Sequence, residues 1–177
     1  CWLGGTFTKS AFARQIALKK KETIPAVTAT GQIADPEQAR RGLISRVAGA
    51  DRRKPWETLF FNQSFGIPLT QASAGKYTET LGMLRIGPSA SNKQPWRLVK
   101  DGDACHFFLQ RTPGYRHGFF QVLLNLCDLQ RVDMGIAMCH FELAAREQGL
   151  DGKWVIQEPG IAKPDELTEY TASWVSQ

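Results

Sequence analysis

The stretch RIGPSASNKQPWRLV, residues 85–99, joins a helical pattern to a strand-like run. Pro88 ends the helix because it lacks a backbone donor and restricts the residue before it. Ser89, Ser91 and Asn92 then supply side chains that bond to nearby backbone, as in caps and turns. A plain helix-to-strand connection explains part of this pattern. The density of loop-forming residues also indicates a functional site.

Local patterns on either side of this loop predict regular structure. Apolar residues at helical spacing in YTETLGMLRI predict a helix over residues 80–87. Strand-like runs at 97–100 and 104–110 flank the sequence KDGD, in which an Asp-Gly pair is a strong hairpin signal. We therefore expect two adjacent antiparallel strands directly after the loop.

A second helix and two more strands follow towards the C-terminus. The segment DLQRVDMGIAMCHFELAAREQGL, residues 128–150, has apolar residues at helical spacing, and Gly149 is a plausible stop. The runs KWVIQ and ELTEYTASWV then read as strands. Near the N-terminus, SAFARQIAL predicts a helix and ETIPAVTATG a strand over residues 24–30.

Composition limits the class of protein. The 177 residues are 42% apolar, and no stretch approaches the roughly 20 apolar residues of a membrane span. Four cysteines without CxxC spacing predict free thiols in a reducing compartment, so we expect a cytoplasmic protein without membrane partners. The histidines and cysteines are not at zinc-ligand spacing, and we expect no metal site. No serine has a credible His/Asp pair for nucleophilic catalysis.

The net charge of +5 is concentrated at residues 19–21 and 39–56. Nucleic acid is not the expected partner, because no aromatic residues are interleaved with these bases and no nucleic-acid-binding signature is present. A phosphate-sized site at Arg52, Arg53 and Lys54 fits this distribution of basic residues better. Arg52 is equally consistent with a solvated surface charge.

The chain also repeats itself faintly. The segment CWLGG is followed by a helix and a strand, and the later KWVIQ is also followed by a strand. In this alignment of the two copies Trp2 matches Trp154. A long helix precedes Trp154, but none precedes Trp2. We therefore expect a chain that opens late in the first of two copies, as the C-terminal part of a longer protein. The expected division is a first-half remnant at 1–60, a linker at 61–75 and a second half at 76–177.

These segments resemble the FMN-dependent nitroreductase family. PSASNKQPWR resembles the family's flavin-binding motif, VDMGIAMCHFELAAREQGLDGKW its central helix, CWLGG the segment after that helix, and RRKPWETLFF its closing basic stretch. Their order resembles the tandem-fused, single-chain branch. The resemblance implies an α+β nitroreductase-like sandwich, with an antiparallel sheet flanked by helices and two pseudo-dimeric halves.

The resemblance also implies a set of FMN-binding residues. Small residues let backbone approach the ring, amides serve its polar edge, and basic side chains suit its phosphate. Gln94 serves the ring edge or ties down its own loop, and the glycine pair is also readable as a plain turn. No catalytic side chain is required. The expected cofactor-binding residues are Gly4, Gly5, Arg53, Lys54, Pro88, Ser89, Ala90, Asn92 and Gln94.

The implied activity is that of an FMN-dependent NAD(P)H oxidoreductase reducing nitroaromatics, quinones or similar acceptors by ping-pong hydride transfer. The alternative is a flavin-binding or structural relative without turnover. Two departures bear on the site: the family's N-terminal Arg-Arg-Ser phosphate element has no counterpart, and bulky Val155 and Ile156 replace the glycine pair in the second half. We expect one flavin site per chain. We also expect Trp2, Leu3 and strand 24–30 to pack against protein outside residues 1–177.

Overall fold

The computed structural model describes residues 2–4, 7, 9–32, 49, 51–115 and 127–176. Two sheets are present within these ranges. Strands β1 (Trp2–Leu3) and β2 (Val27–Thr28) form a two-stranded antiparallel ribbon. The main sheet has five strands in the order β3-β4-β5-β7-β6.

The hairpin predicted from the Asp-Gly pair is confirmed. Strands β4 (Trp96–Asp101) and β5 (Ala104–Gln110) pair antiparallel, from Trp96 opposite Leu109 to Asp101 opposite Ala104. Gly102 adopts a φ of 54° at the turn, a conformation that glycine reaches without a Cβ penalty.

The C-terminal strands extend this sheet. Strand β7 (Thr168–Ser176) pairs antiparallel with β5, with a register shift between Phe107 and Phe108, and β6 (Gly152–Val155) pairs antiparallel with β7. Strand β3 (Phe60–Asn62) instead runs parallel to β4. The helices between β3 and β4 provide the crossover that a parallel pair requires. The predicted antiparallel sheet is confirmed, with β3 as an exception at its edge.

Within the described residues, three helices accompany the main sheet. Helix α2 (Gln71–Ala74) is capped by Thr70, and α3 (Thr78–Ile86) matches the predicted helix at 80–87 within two residues. Helix α4 (Leu129–Glu147) confirms the long helix, and its N-cap Asp128 accepts a hydrogen bond from the Arg131 amide. Gly149 follows the helix with a φ of 69°, as expected for a stop.

Helices α3 and α4 pack on one face of the main sheet, and together they form a mixed α+β layer structure. On the opposite face, Phe65 packs against Phe61 and Phe108, at ring-centroid distances of 5.2 and 5.0 Å. The core consists of Leu59, Phe60, Leu69, Ala74, Tyr77, Leu81, Leu84, Trp96, Leu98, Cys105, Phe107, Leu109, Met134, Ala137, Phe141, Ala145 and Trp174.

The N-terminal region differs from its prediction. Helix α1 (Lys9–Gln15) is present, but the strand expected over 24–30 is reduced to the two residues of β2. Pro25 lacks the backbone N–H that a longer ladder needs. The side chains of Leu3, Phe12 and Ile16 are exposed. The packing of Trp2, Leu3 and strand 24–30 against further protein stays a prediction.

The division into a remnant at 1–60, a linker at 61–75 and a second half at 76–177 also stays a prediction. Leu59 and Phe60 lie in the same core as Trp96 and Phe141. The end of the proposed remnant therefore contributes directly to the sheet of the proposed second half.

Other sequence-based expectations concern cysteines, membranes and metals. Cys105, Cys127 and Cys139 are free thiols. None of the helices in the described ranges is long and apolar enough to cross a bilayer. In the same part of the chain, no three His, Cys, Asp or Glu side chains are grouped so as to hold a metal ion.

Candidate functional site

The segment 87–95, called the motif loop below, has an unusual backbone. It contains a 3₁₀ turn at Ala90–Asn92, and three of its non-glycine residues have positive φ: Ser91 at 49°, Asn92 at 52° and Gln94 at 46°. This left-handed region is disfavoured for residues with a Cβ, and such outliers cluster at functional sites. The motif loop therefore combines three such residues within four positions, and its role as a functional site stays a prediction.

Internal hydrogen bonds hold the motif loop in this conformation. The Ser89 Oγ accepts a hydrogen bond from the backbone N–H of Gln94 at 2.8 Å. The Ser89 carbonyl accepts one from the backbone N–H of Asn92 at 3.0 Å. The Gln94 Nε2 donates to the Asn92 Oδ1 at 3.0 Å. Gln94 is buried, so its side chain is fixed inside the loop.

The same two amide side chains bind the motif loop to the basic stretch Arg52–Lys54. The Asn92 Nδ2 donates to the carbonyls of Gly49 at 2.7 Å and Arg52 at 2.9 Å. The Gln94 Oε1 accepts from the Lys54 amide at 2.8 Å. From the sequence, Gln94 was expected either to serve the ring edge or to tie down its own loop. Its hydrogen bonds support the second role.

The two basic side chains predicted for the phosphate differ in their surroundings. The Arg53 guanidinium donates to the Ile86 carbonyl through Nε at 3.3 Å and Nη2 at 3.0 Å, and to the Arg52 carbonyl through Nη1 at 3.0 Å. Ile86 is the last residue of α3, where orphan carbonyls attract cations. Arg53 therefore anchors the end of this helix.

Lys54 is half-buried, and its Nζ lies 3.5 Å from the Gln94 carbonyl oxygen. Burial and the nearby positive charges of Arg97 and Lys93 together lower the pKa of Lys54 to about 8, and burial is the largest of these causes. Burial also lowers the pKa of Arg97, whose Nη1 donates to the carbonyls of Gln94 at 3.2 Å and Trp96 at 2.6 Å. Positive charge is thus concentrated at the C-terminal end of the motif loop.

Asp133, on α4, was missed by the sequence reasoning. Its side chain is fully buried, its Oδ1 accepts from the Ala90 amide at 2.8 Å, and its Oδ2 has no hydrogen-bond partner within the described residues. Burial, with a smaller contribution from the charge of Asp128, raises the pKa of Asp133 to about 7. The signal that was available is a carboxylate one turn before Ala137 on the buried face of an amphipathic helix.

Gly4 lies beside the start of α4. A Cβ at this position would come within 2.6 Å of the Leu129 side chain and 2.9 Å of the Trp2 ring. A larger residue here would require the Leu129 or Trp2 side chain to shift, whereas glycine fits this close packing as it stands. Gly5 lies outside the described residues.

Most of the predicted site residues are brought together. Arg53, Lys54, Asn92 and Gln94 form one hydrogen-bonded unit, and Ser89 and Ala90 lie half-buried in the same loop. Pro88 is exposed at the start of the loop. Gly4 contacts Leu129, one helical turn before the Asp133 that binds Ala90, so the glycine and the loop both lie against the N-terminal turns of α4.

Comparison with known proteins identifies the family. Residues 1–145 match the family described as "Putative TM nitroreductase". The chain belongs to this nitroreductase family, as the sequence resemblance implied.

One solved structure is also similar: the crystal structure titled as a putative nitroreductase from Thermotoga maritima. The two chains are 23% identical, with a TM-score of 0.43, and the match covers 70% of this chain. The match spans 42% of the Thermotoga chain. No curated protein matches this chain.

Proposed function

We propose that this protein is an FMN-dependent oxidoreductase that takes hydride from NAD(P)H and reduces nitroaromatics, quinones or similar acceptors. Family membership and the built motif loop support the proposal. The single observation that carries it is the loop 91–94, in which three residues are left-handed and one of them, the buried Gln94, bonds the loop to the basic stretch.

The residues present suit FMN in two respects. Half-buried Ser89 and Ala90 provide a surface of small side chains that a flat ring can approach closely. Lys54 and Arg97 provide donors of positive charge for a phosphate. FMN, when bound, supplies the hydride-transfer chemistry between dinucleotide and acceptor.

The chain's own residues then bind and orient the cofactor. The side-chain amides of Asn92 and Gln94 form hydrogen bonds within the chain. They therefore shape the loop and align it with the basic stretch. Asp133 fixes the Ala90 amide from the helix side. No side chain is needed as an acid, base or nucleophile, and we propose none.

The proposal also includes a cytoplasmic location and contacts with further protein. It covers either NADH or NADPH as the donor and a nitroaromatic, quinone or similar acceptor. The exposed Leu3, Phe12 and Ile16 near the N-terminus, together with the exposed Leu143 of α4, support contacts with protein outside residues 1–177.

Replacing Asn92 with alanine should weaken FMN retention more than replacing His140 does. The substitution removes the Asn92 Nδ2 bonds to the carbonyls of Gly49 and Arg52 and the Oδ1 acceptor of the Gln94 Nε2. Each bond has a net contribution of about 1 kcal/mol, and their loss loosens the loop from the basic stretch. His140 also lies on α4, but it makes no described hydrogen bond to the loop. The measurement is flavin content per protein after dialysis. Equal content in Asn92→Ala and His140→Ala would contradict the assigned site.

A further inference from the structure

Among the described residues, Asp133 is the one acidic side chain that is fully buried. Its Oδ1 accepts a hydrogen bond from the backbone N–H of Ala90 at 2.8 Å, whereas its Oδ2 has no partner in the described part of the chain. Asp128 and Asp165, in contrast, each accept hydrogen bonds from several groups. A buried carboxylate without a cation or further donors is costly to ionise.

The charges around Asp133 do not stabilise its ionised form. Among the described residues, the charge that acts on it is that of Asp128, the N-cap of the same helix, and this like charge opposes ionisation. Ionisable groups also lie on the elements that pack against α4, and within the described residues none of them forms a hydrogen bond or ion pair with Asp133. They include the exposed Glu79 of α3 and Lys93 of the motif loop, and groups that bond to other partners: Arg85 of α3, Arg97 and Lys100 of β4, His106 of β5, and Arg111.

The residue that Asp133 holds lies at a sensitive point of the motif loop. Ala90 begins the 3₁₀ turn that contains the left-handed residues Ser91 and Asn92, and its carbonyl accepts from the backbone N–H of Lys93 at 3.1 Å. Left-handed residues persist only where surrounding contacts fix them. Loss of the Asp133 contact therefore allows the turn to relax, together with the Asn92 side chain that bonds the loop to the basic stretch.

The charge on Asp133 determines the stability of the closed loop, defined here by the hydrogen bond between Asp133 and Ala90. A neutral carboxyl stays buried at little cost. An ionised one lacks the donors that water provides, so opening of the loop to water becomes easier. Burial raises the pKa of Asp133 to about 7 in the closed loop. Below about pH 4 the carboxyl is neutral in both the closed and the open loop, and opening becomes easier from there up to about pH 7.

We propose that Asp133 is a positioning residue whose proton keeps the motif loop closed on α4, and that loss of this proton releases the loop. The release is a property of the chain without a ligand. Its consequence for flavin rests on the proposed function, because the closed loop presents the half-buried Ser89 and Ala90 that the flavin ring is proposed to approach.

Amide hydrogen exchange between about pH 5 and about pH 8, followed residue by residue by NMR, tests the release in the ligand-free chain. Division by the exchange rates of an unprotected peptide gives protection factors, which report opening. The backbone N–H of Leu98 donates to the Leu59 carbonyl at 2.9 Å in the core and reports opening of the whole fold. Asp133→Asn keeps an acceptor for Ala90 but does not titrate, and Asp151→Asn, which removes an exposed carboxylate, is the control.

We expect the Ala90 N–H to exchange faster than the Leu98 N–H at every pH. In the wild type and in Asp151→Asn its protection should fall by up to about a hundredfold from pH 5 to pH 7 and then level off, whereas in Asp133→Asn it should not vary with pH. Ala90 exchange as slow as that of Leu98, or wild-type Ala90 protection that does not change with pH, would overturn the proposal. Both outcomes are read from the wild type, so the test does not depend on folding of Asp133→Asn.

Riboflavin affinity tests the consequence for the proposed function, because riboflavin lacks the phosphate whose ionisation near pH 6 gives FMN a pH dependence of its own. A ring that covers the closed loop favours neutral Asp133. We therefore expect the wild type to bind riboflavin about threefold or more weakly at pH 8 than at pH 6, and Asp133→Asn to bind it equally at both. Equal wild-type affinities at the two pH values would overturn the link to flavin. If neither riboflavin nor FMN binds at any pH, the proposed function fails, and the exchange of Ala90 still decides whether the loop is released.

Discussion

Asp133→Asn should gain stability relative to the wild type progressively as the pH rises from about 4 to about 8. The pKa of Asp133 is raised from 3.8 to about 7 in the folded protein, chiefly by burial. Below about pH 4 the carboxyl is neutral in both the folded and unfolded states, so no penalty applies. Above about pH 7 the folded protein must hold a buried charge, which costs up to about 4 kcal/mol relative to the unfolded chain.

Asparagine keeps an oxygen that accepts from the Ala90 amide, but it carries no charge at any pH. Its buried NH₂ lowers stability by an amount that does not vary with pH. The informative quantity is therefore the difference in free energy of unfolding between variant and wild type, measured by urea denaturation across the pH range. This difference should increase by as much as about 4 kcal/mol.

A matched control removes a carboxylate that is not buried. Asp151→Asn does so at an exposed position just after α4. If the free energies of unfolding of Asp133→Asn and the wild type varied with pH in parallel, Asp133 would not be a buried acid with a raised pKa.

Gln94→Ala should strongly reduce FMN retention and lower the free energy of unfolding by about 2 to 4 kcal/mol. The truncation leaves the Lys54 amide without its acceptor and removes the donor to the Asn92 Oδ1 and the Arg52 carbonyl. A buried polar group left unsatisfied costs about 1 to 3 kcal/mol. The loop also loses the side chain that holds its left-handed residues in register with the basic stretch.

Gln148→Ala separates loss of the site from loss of stability. Gln148 also bonds through its amide, to Thr80 and to the Ala144 carbonyl, but it lies at the far end of α4 from the motif loop. We expect Gln148→Ala to lower stability while leaving flavin content per folded protein unchanged. If Gln94→Ala retained FMN as well as Gln148→Ala does, the loop would not depend on Gln94.

Features specified by neighbouring residues could be predicted from the sequence. The Asp101-Gly102 pair set the β4–β5 hairpin, and Gly149 ended α4, because each signal acts within a few residues. The role of the motif loop as a functional segment stays a prediction.

Features that depend on distant residues were missed. The parallel pairing of β3 with β4 joins Phe60 to Leu98, and no local pattern specifies that register. Asp133 bonds to Ala90 across 43 positions of sequence. The partners of Asn92 and Gln94 lie about as far away, in the basic stretch. The sequence predicted a ligand for the Asn92 side chain and left Gln94 between a ligand and its own loop, whereas the folded chain bonds both amide side chains to itself.

The proposed function requires that the protein binds FMN and uses it to pass electrons from NAD(P)H to an acceptor. The most direct measurement adds NADH or NADPH to the protein reconstituted with FMN, under anaerobic conditions, and follows the visible flavin absorbance. Free FMN at the same concentration, without protein, is the control. We expect rapid bleaching with at least one dinucleotide and recovery of the absorbance when a quinone or nitroaromatic is added. Bound flavin that neither dinucleotide bleaches, or protein that binds no FMN, would contradict it.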